Sequence, residues 1–70
     1  MSGGRYIRDY YKVPAWRGRR VIYSGGQIPQ PGTITGFRDA HLRIRLDGEH
    51  QIRSYHPTWR IEYLPPGGLT

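Results

Sequence analysis

The sequence predicts an all-β domain, a small five-stranded antiparallel barrel preceded by a short N-terminal helical or capping segment. Three observations carry that class. From His41 to Leu46, Leu42, Ile44 and Leu46 alternate strictly with His41, Arg43 and Arg45, which is the period of a strand with one apolar face. The dipeptide Asp47-Gly48 follows at once, a strong hairpin signal. Around this core run short β-branched and aromatic stretches with glycine-marked bends, a long first loop and a one-turn step before the last strand.

Length and composition set the bounds. Seventy residues make one domain, near the lower limit at which a core holds itself together without a staple. The chain has no cysteine, so there is no disulfide framework, and His and Cys do not cluster at metal-ligand spacing. No metal or cofactor is expected. Support is then expected from tight strand closure or from self-association. Ten arginines and one lysine against five acidic residues leave a net charge of +6 and a pI near 10.3, which favours phosphate-rich partners or acidic protein surfaces. Met1-Ser2-Gly3-Gly4 lacks a basic region followed by an apolar core, and the longest apolar run falls far short of a membrane span. A cytoplasmic protein with no membrane partner is expected.

Residues 1–17 form a tail and capping segment. Met1 to Gly4 reads as a flexible tail. Between Arg5 and Val13, Tyr6, Ile7, Tyr10 and Tyr11 recur at roughly helical spacing, so one or two helical turns are expected before Pro14 ends them, with the tyrosines covering an open end of the barrel. Trp16 is either an exposed stacking group or a lid on that end, and the lid is favoured.

The barrel spans residues 18–64. Gly18 to Tyr23 reads as the first strand, Val21 and Tyr23 inward, Arg20 and Ile22 outward. Ser24 to Gly32 holds three glycines and two prolines and reads as a long rim loop. The second strand, Gly32 to Phe37, has Ile34 inward and a bend or bulge at Gly36. Arg38, Asp39 and Ala40 form the turn into the alternating third strand. A three-residue hairpin loop, Leu46-Asp47-Gly48 with Gly48 left-handed, would pair Arg45 with Glu49, Ile44 with His50 and Leu42 with Ile52; it buries Ile52 and is preferred to a two-residue Asp-Gly loop. His56-Pro57-Thr58-Trp59 suits a single tight helical turn, with Trp59 in the core over Val21 and Ile44. Arg60 to Leu64 is the fifth strand, and residues 65–70 are a disordered tail.

With these elements placed, the pattern Gly18-x-x-Val21-x-Tyr23-x-Gly25, Gly32-x-Ile34, Leu42-x-Ile44-x-Leu46-Asp47-Gly48, His56-Pro57 and Ile61-x-Tyr63 resembles the SH3-like barrels of the KOW and Tudor kind. The wording around Pro14-Ala15 and from His56 to Leu64 is similar to small bacteriophage and prophage proteins of no settled activity. That resemblance implies a phage-type binding module in the cytoplasm of a bacterial host. A proline-rich insertion between Gly25 and Gly32 departs from the KOW pattern, where a short basic loop would contact RNA. In architecture only, the glycine-led first strand is similar to the type II plasmid-encoded dihydrofolate reductases. His50-Gln51-Ile52-Arg53 stands where their Val-Gln-Ile-Tyr signature would be, so that activity is not carried over.

The candidate site is an arginine face. Arg43, Arg45 and Arg53 are expected in adjacent rows of one sheet surface, with His41 and Gln51 beside them and Tyr55 at the edge. Arg19 and Arg20, from the cluster Arg17-Gly18-Arg19-Arg20, and Arg38 at the turn extend it. Such a face supplies spaced cations for phosphates and a ring for bases. The expected partner is DNA or RNA, bound without strong sequence specificity, since no recognition helix is available. The competing reading of these arginines is a solvated face partly neutralised by Asp47 and Glu49. The alternative function is a protein-interaction module, in which the sheet edge, the Tyr6 to Tyr11 segment and Ile28-Pro29 dock onto a host protein or a second copy. An enzyme is not expected, nor a small-molecule substrate. His41, His50 and His56 have no serine, cysteine or paired carboxylate at recognisable spacing, and His56 reads as a turn residue.

Overall fold

The alternating stretch is a strand, β3 (His41–Leu46), with Leu42 and Ile44 fully buried and Leu46 nearly so. The structure, a computed structural model, describes residues 3–65. The tail expected at Met1 and Ser2 and the one expected over residues 66–70 lie outside the described residues. Before β3 come α1 (Gly3–Tyr11), β1 (Arg20–Tyr23) and β2 (Gln30–Arg38), and after it β4 (Arg53–Tyr55) and β5 (Ile61–Tyr63). The strands form one antiparallel sheet in the order β4-β3-β2-β1-β5. Among the described residues no ladder joins β4 to β5, so the hydrogen-bonded sheet is open. No helix here is long and apolar enough to cross a membrane.

Gly36 marks a bulge, as its position in the sequence predicts. The register of β2 against β3 shifts between Ile34 and Gly36, leaving Thr35 and Gly36 together against Arg43. Phe37, three residues after Ile34, thereby returns to the inward face opposite Leu42. Strict alternation would have turned Gly36 inward and Phe37 out to water. The sheet also curls. Tyr23 of β1 and Tyr55 of β4 meet edge to face with ring centroids 4.8 Å apart, although β2 and β3 lie between their strands and a flat sheet would hold them roughly 14 Å apart. The curled face encloses Val21, Ile34, Leu42, Ile44 and Leu46.

The N-terminal segment is helical, and it begins at Gly3 rather than Arg5. It stops at Tyr11, where Lys12 takes a left-handed φ of 58°, the capping conformation usually filled by glycine, and Pro14 bars any continuation. What plugs the end of the core is Ile7, fully buried, and not a set of tyrosines: Tyr6 and Tyr10 are exposed and only Tyr11 packs against the core. The helix can settle this closely because Gly4 lies on Phe37, where a Cβ would come within 2.8 Å of the ring Cζ.

The second hairpin differs from the expected one. Gly48 is left-handed at φ 86° and the Glu49 N–H donates to the Leu46 carbonyl at 3.0 Å, so the tight turn itself forms. The ladder resumes only at Arg53: Leu42 faces Tyr55, Arg43 faces Ser54 and Ile44 faces Arg53. His50 and Ile52, expected opposite Ile44 and Leu42, stay outside, and Ile52 is 41% exposed. Tyr55 lays an aromatic ring over Leu42 and against Tyr23, more apolar surface than Ile52 has to offer, and that burial selects the register.

The rim loop is shorter than expected and ends at Pro29, because Gln30 and Pro31 already pair with Tyr23 and Ile22. Proline is tolerated there because this end of β2 has only β1 as a ladder partner; pairing with β3 begins at Gly32. Residues 57–60 bend without forming a helical turn, and Arg60 adopts φ 59°. Trp59, expected in the core, is 55% exposed, while Pro57 is fully buried. The Tyr63 hydroxyl donates to the Pro57 carbonyl at 2.6 Å, and burial pushes its phenol up to about 12.

Two outcomes follow for stability. The turn between β2 and β3 places Asp39 and Ala40 at φ 51° and 64°, the left-handed pair that a two-residue hairpin needs and that alanine adopts at a penalty. Ala40→Gly should stabilise the fold by about 1 kcal/mol, read as a higher urea midpoint with an unchanged slope. The raised Tyr63 phenol favours the folded state fully below its ordinary value of 10.0, and this contribution disappears as pH climbs toward about 12. Tyr63→Phe should therefore flatten the alkaline fall of Tm across that window, while losing about 1 kcal/mol at neutral pH with its hydrogen bond.

Candidate nucleic-acid interface

The alternation of β3 sends His41, Arg43 and Arg45 to the face opposite the core. Register extends that face sideways. Arg45 stands opposite Thr33 and Thr33 opposite Arg20; Arg43 stands between Gly36 and Ser54; His41 stands opposite Arg38. Arg43 and Arg45 are two residues apart on one strand, a separation of about 6.8 Å along it.

The cations are held in different ways. Arg43 is half-buried, and its Nη1 donates to Ser54 Oγ at 2.9 Å. Arg45 is exposed and its Nη1 reaches the Glu49 carbonyl at 3.3 Å. These contacts orient the guanidinium groups without neutralising them. Arg20 is different: it donates to Thr33 Oγ1 at 2.7 Å and to Asp47 Oδ1 at 2.9 Å, with a second bond to Asp47 Oδ2. Those hydrogen bonds hold the Asp47 carboxyl below the usual carboxylate range, with the charges of Arg20 and Arg45 adding to the effect against the opposing cost of desolvation. Arg20 is thus the neutralised member of the face. Arg38 approaches Asp39 only to 3.9 Å with both side chains well exposed, a contact worth little. His41 Nδ1 lies 2.8 Å from the Asp39 carbonyl, and its ring meets His56 at 6.2 Å. His56 is a turn residue as expected, its Nδ1 accepting the Thr58 N–H at 3.1 Å.

Of the residues singled out in the sequence, Arg20, Arg38, His41, Arg43 and Arg45 come together on this face. Three do not. Arg53 stands opposite Ile44, so the shifted hairpin register turns it to the other side, where it meets Gln51 at 3.3 Å and Glu49 at 3.9 Å. Tyr55 points inward under Tyr23; burial and the charge of Glu49 raise its phenol, with Arg53 opposing. Arg19 precedes β1 and its Nε donates to the Leu64 carbonyl at 2.7 Å, at the far edge of the sheet.

Arg17 joins the face from outside the strands. A Cβ on Gly36 would lie 3.9 Å from its Nη2, and Gly36 is the direct partner of Arg43. Arg17 is exposed, and no carboxylate pairs with it among the described residues. The signal in the sequence was the cluster Arg17-Gly18-Arg19-Arg20, but a residue ahead of a strand has no parity to say which surface it reaches. Among the described residues, no three His, Cys, Asp or Glu side chains are grouped to hold a metal ion. No protein-family model, curated protein or solved structure matches the chain.

The Arg20–Asp47 pair contributes while Asp47 is ionised, so its contribution is present above Asp47's ordinary value of 3.8 and is lost as pH falls through the lower folded value. Both side chains are near half exposed, which keeps the effect small and salt-sensitive. Asp47→Asn should remove a matching part of the acid limb of Tm against pH, and added salt should shrink that part in the unmodified protein.

Proposed function

We propose that the protein is a small binding module, not an enzyme, that holds nucleic acid through phosphate contacts on the outer face of its sheet, with little sequence preference. The observation that carries this reading is the gathering of Arg17, Arg43 and Arg45 on one surface, none of them in a salt bridge among the described residues. Guanidinium groups stay charged at every physiological pH and present forked donors that match phosphate oxygens. The one helix among the described residues has Ile7 committed to the core, which argues against a recognition helix reading a major groove. The strand order and the Tyr23–Tyr55 contact support an SH3-like barrel, and with the phage resemblance we take the setting to be a bacterial cytoplasm.

A second reading rests on a separate observation. Tyr6 and Tyr10 stack at 5.4 Å on α1 while 51% and 65% exposed, an aromatic surface suited to a protein partner or a second copy.

The deciding experiment is a salt titration of binding to a labelled DNA duplex, with Arg43→Glu and Arg45→Glu combined. Losing two phosphate contacts should weaken binding at low salt by an order of magnitude or more and reduce the log-log salt slope by about 1.8. Unchanged affinity and slope would sink the proposal. Absence of oligonucleotide binding at low salt, together with elution as a dimer, would favour the tyrosine surface.

A further inference from the structure

We propose that Trp16 is a stacking platform for an unpaired nucleobase, so that the arginine face takes single-stranded nucleic acid in preference to a duplex. The inference rests on the phosphate-binding reading above and names the form of nucleic acid that the site selects. Trp16 is 56% exposed, yet it is firmly held. Its backbone N–H donates to the Pro14 carbonyl at 3.1 Å and its backbone carbonyl accepts the Arg19 N–H at 3.0 Å. The Arg8 guanidinium lies 3.6 Å from the indole centroid and is itself tied to the carbonyl of buried Ala15 at 3.0 Å. One face of the ring is thus occupied by a cation, and the exposure belongs to the remainder.

A fixed, half-exposed indole suits stacking because little freedom is left to lose when a base lands on it. Arg8 lies over the ring and Arg17 is the next residue in the chain, and neither meets a carboxylate among the described residues. Arg17 follows Trp16 directly in the chain, and its Nη2 would lie 3.9 Å from a Cβ on Gly36, the partner of Arg43. A chain of phosphates running along Arg43 and Arg17 would bring its next base to Trp16. A duplex keeps its bases paired inside and has none to offer except at its ends. The other exposed tryptophan does not fit this role. Trp59 packs near Tyr23, whose ring belongs to the inward-facing set, and lies within the bend beside Arg60.

The test compares oligothymidine, oligouridine and a DNA duplex of equal length, titrated at matched salt against the intact protein and its variants. Trp16→Ala should weaken both single strands by about 5- to 150-fold, the loss of one stacked base, and leave duplex affinity and salt slope unchanged. Trp16→Phe should restore most of the loss with little change in Tm, which separates stacking from a folding defect, while Trp16→Ala, which also loses the Arg8 stack, should lower Tm by a few degrees yet leave the protein folded at the titration temperature. In Trp59→Phe, Trp16 is the one remaining tryptophan, and its fluorescence should be quenched by oligothymidine. Loss with one sugar type only would still support stacking and would assign DNA or RNA. Equal weakening of duplex and single strands by Trp16→Ala, or no weakening of single strands, overturns the stacking platform even if the Arg43→Glu, Arg45→Glu protein still loses duplex binding. If that charge reversal affects no ligand, the phosphate reading falls and this inference falls with it.

Discussion

A sheet of five short strands has one apolar face, and a nine-residue helix is too short to cover it. Burial of that face is the constraint on which the rest of the structure depends, since seventy residues without a disulfide have few other sources of stability. The sheet meets it by folding over. The bulge at Ile34–Gly36 changes parity so that Phe37 joins Ile34 inside, and the second hairpin shifts until Tyr55 reaches Leu42 and Tyr23. Ile7 then closes the end where Gly4 permits the helix to approach Phe37.

The outer face is what this leaves behind. Once the aliphatic rows of β3 are committed inward, His41, Arg43 and Arg45 have one surface available to them, and β2 and β1 beyond it add Arg38 and Arg20. Four of the five carboxylates pair with other arginines, and the fifth, Glu62, stands on β5 at the far edge of the sheet. Asp9 sits by Arg5, Asp39 by Arg38, Asp47 on Arg20 and Glu49 by Arg53. Among the described residues Arg17, Arg43 and Arg45 therefore form no salt bridge, although the Arg45 charge is felt by Asp47, and such unpaired guanidinium groups are what a phosphate ligand would use.

The linker between helix and sheet belongs to the same organisation. It is anchored by buried Ala15, by Gly18 N–H donating to the Ile34 carbonyl at 2.8 Å, and by the Arg8–Trp16 stack. A segment that would otherwise be a loose connection becomes a corner that presents an indole beside an arginine. Rigidity at that corner comes from the helix, which is why a short N-terminal element has consequences beyond plugging the core.

By itself the amino-acid sequence determined the β character, the inward row Leu42, Ile44 and Leu46, the bulge at Gly36, the left-handed Gly48 and the shared face of His41, Arg43 and Arg45. All of these depend on residues close together in the chain, whose periodicity and backbone preferences speak for themselves. The tertiary structure alone decided that Arg53 and Tyr55 leave the arginine face, that Arg17 joins it, and that Trp59 stays outside while Pro57 is buried. The hairpin register illustrates the reason: the local turn at Asp47-Gly48 formed as its residues dictate, but the pairing beyond it was settled by a ring on β4 finding Tyr23 on β1. Shifting a strand by an odd number of positions exchanges its two faces. Such a choice is made by contacts between distant parts of the chain, and these exist only once the sheet has curled.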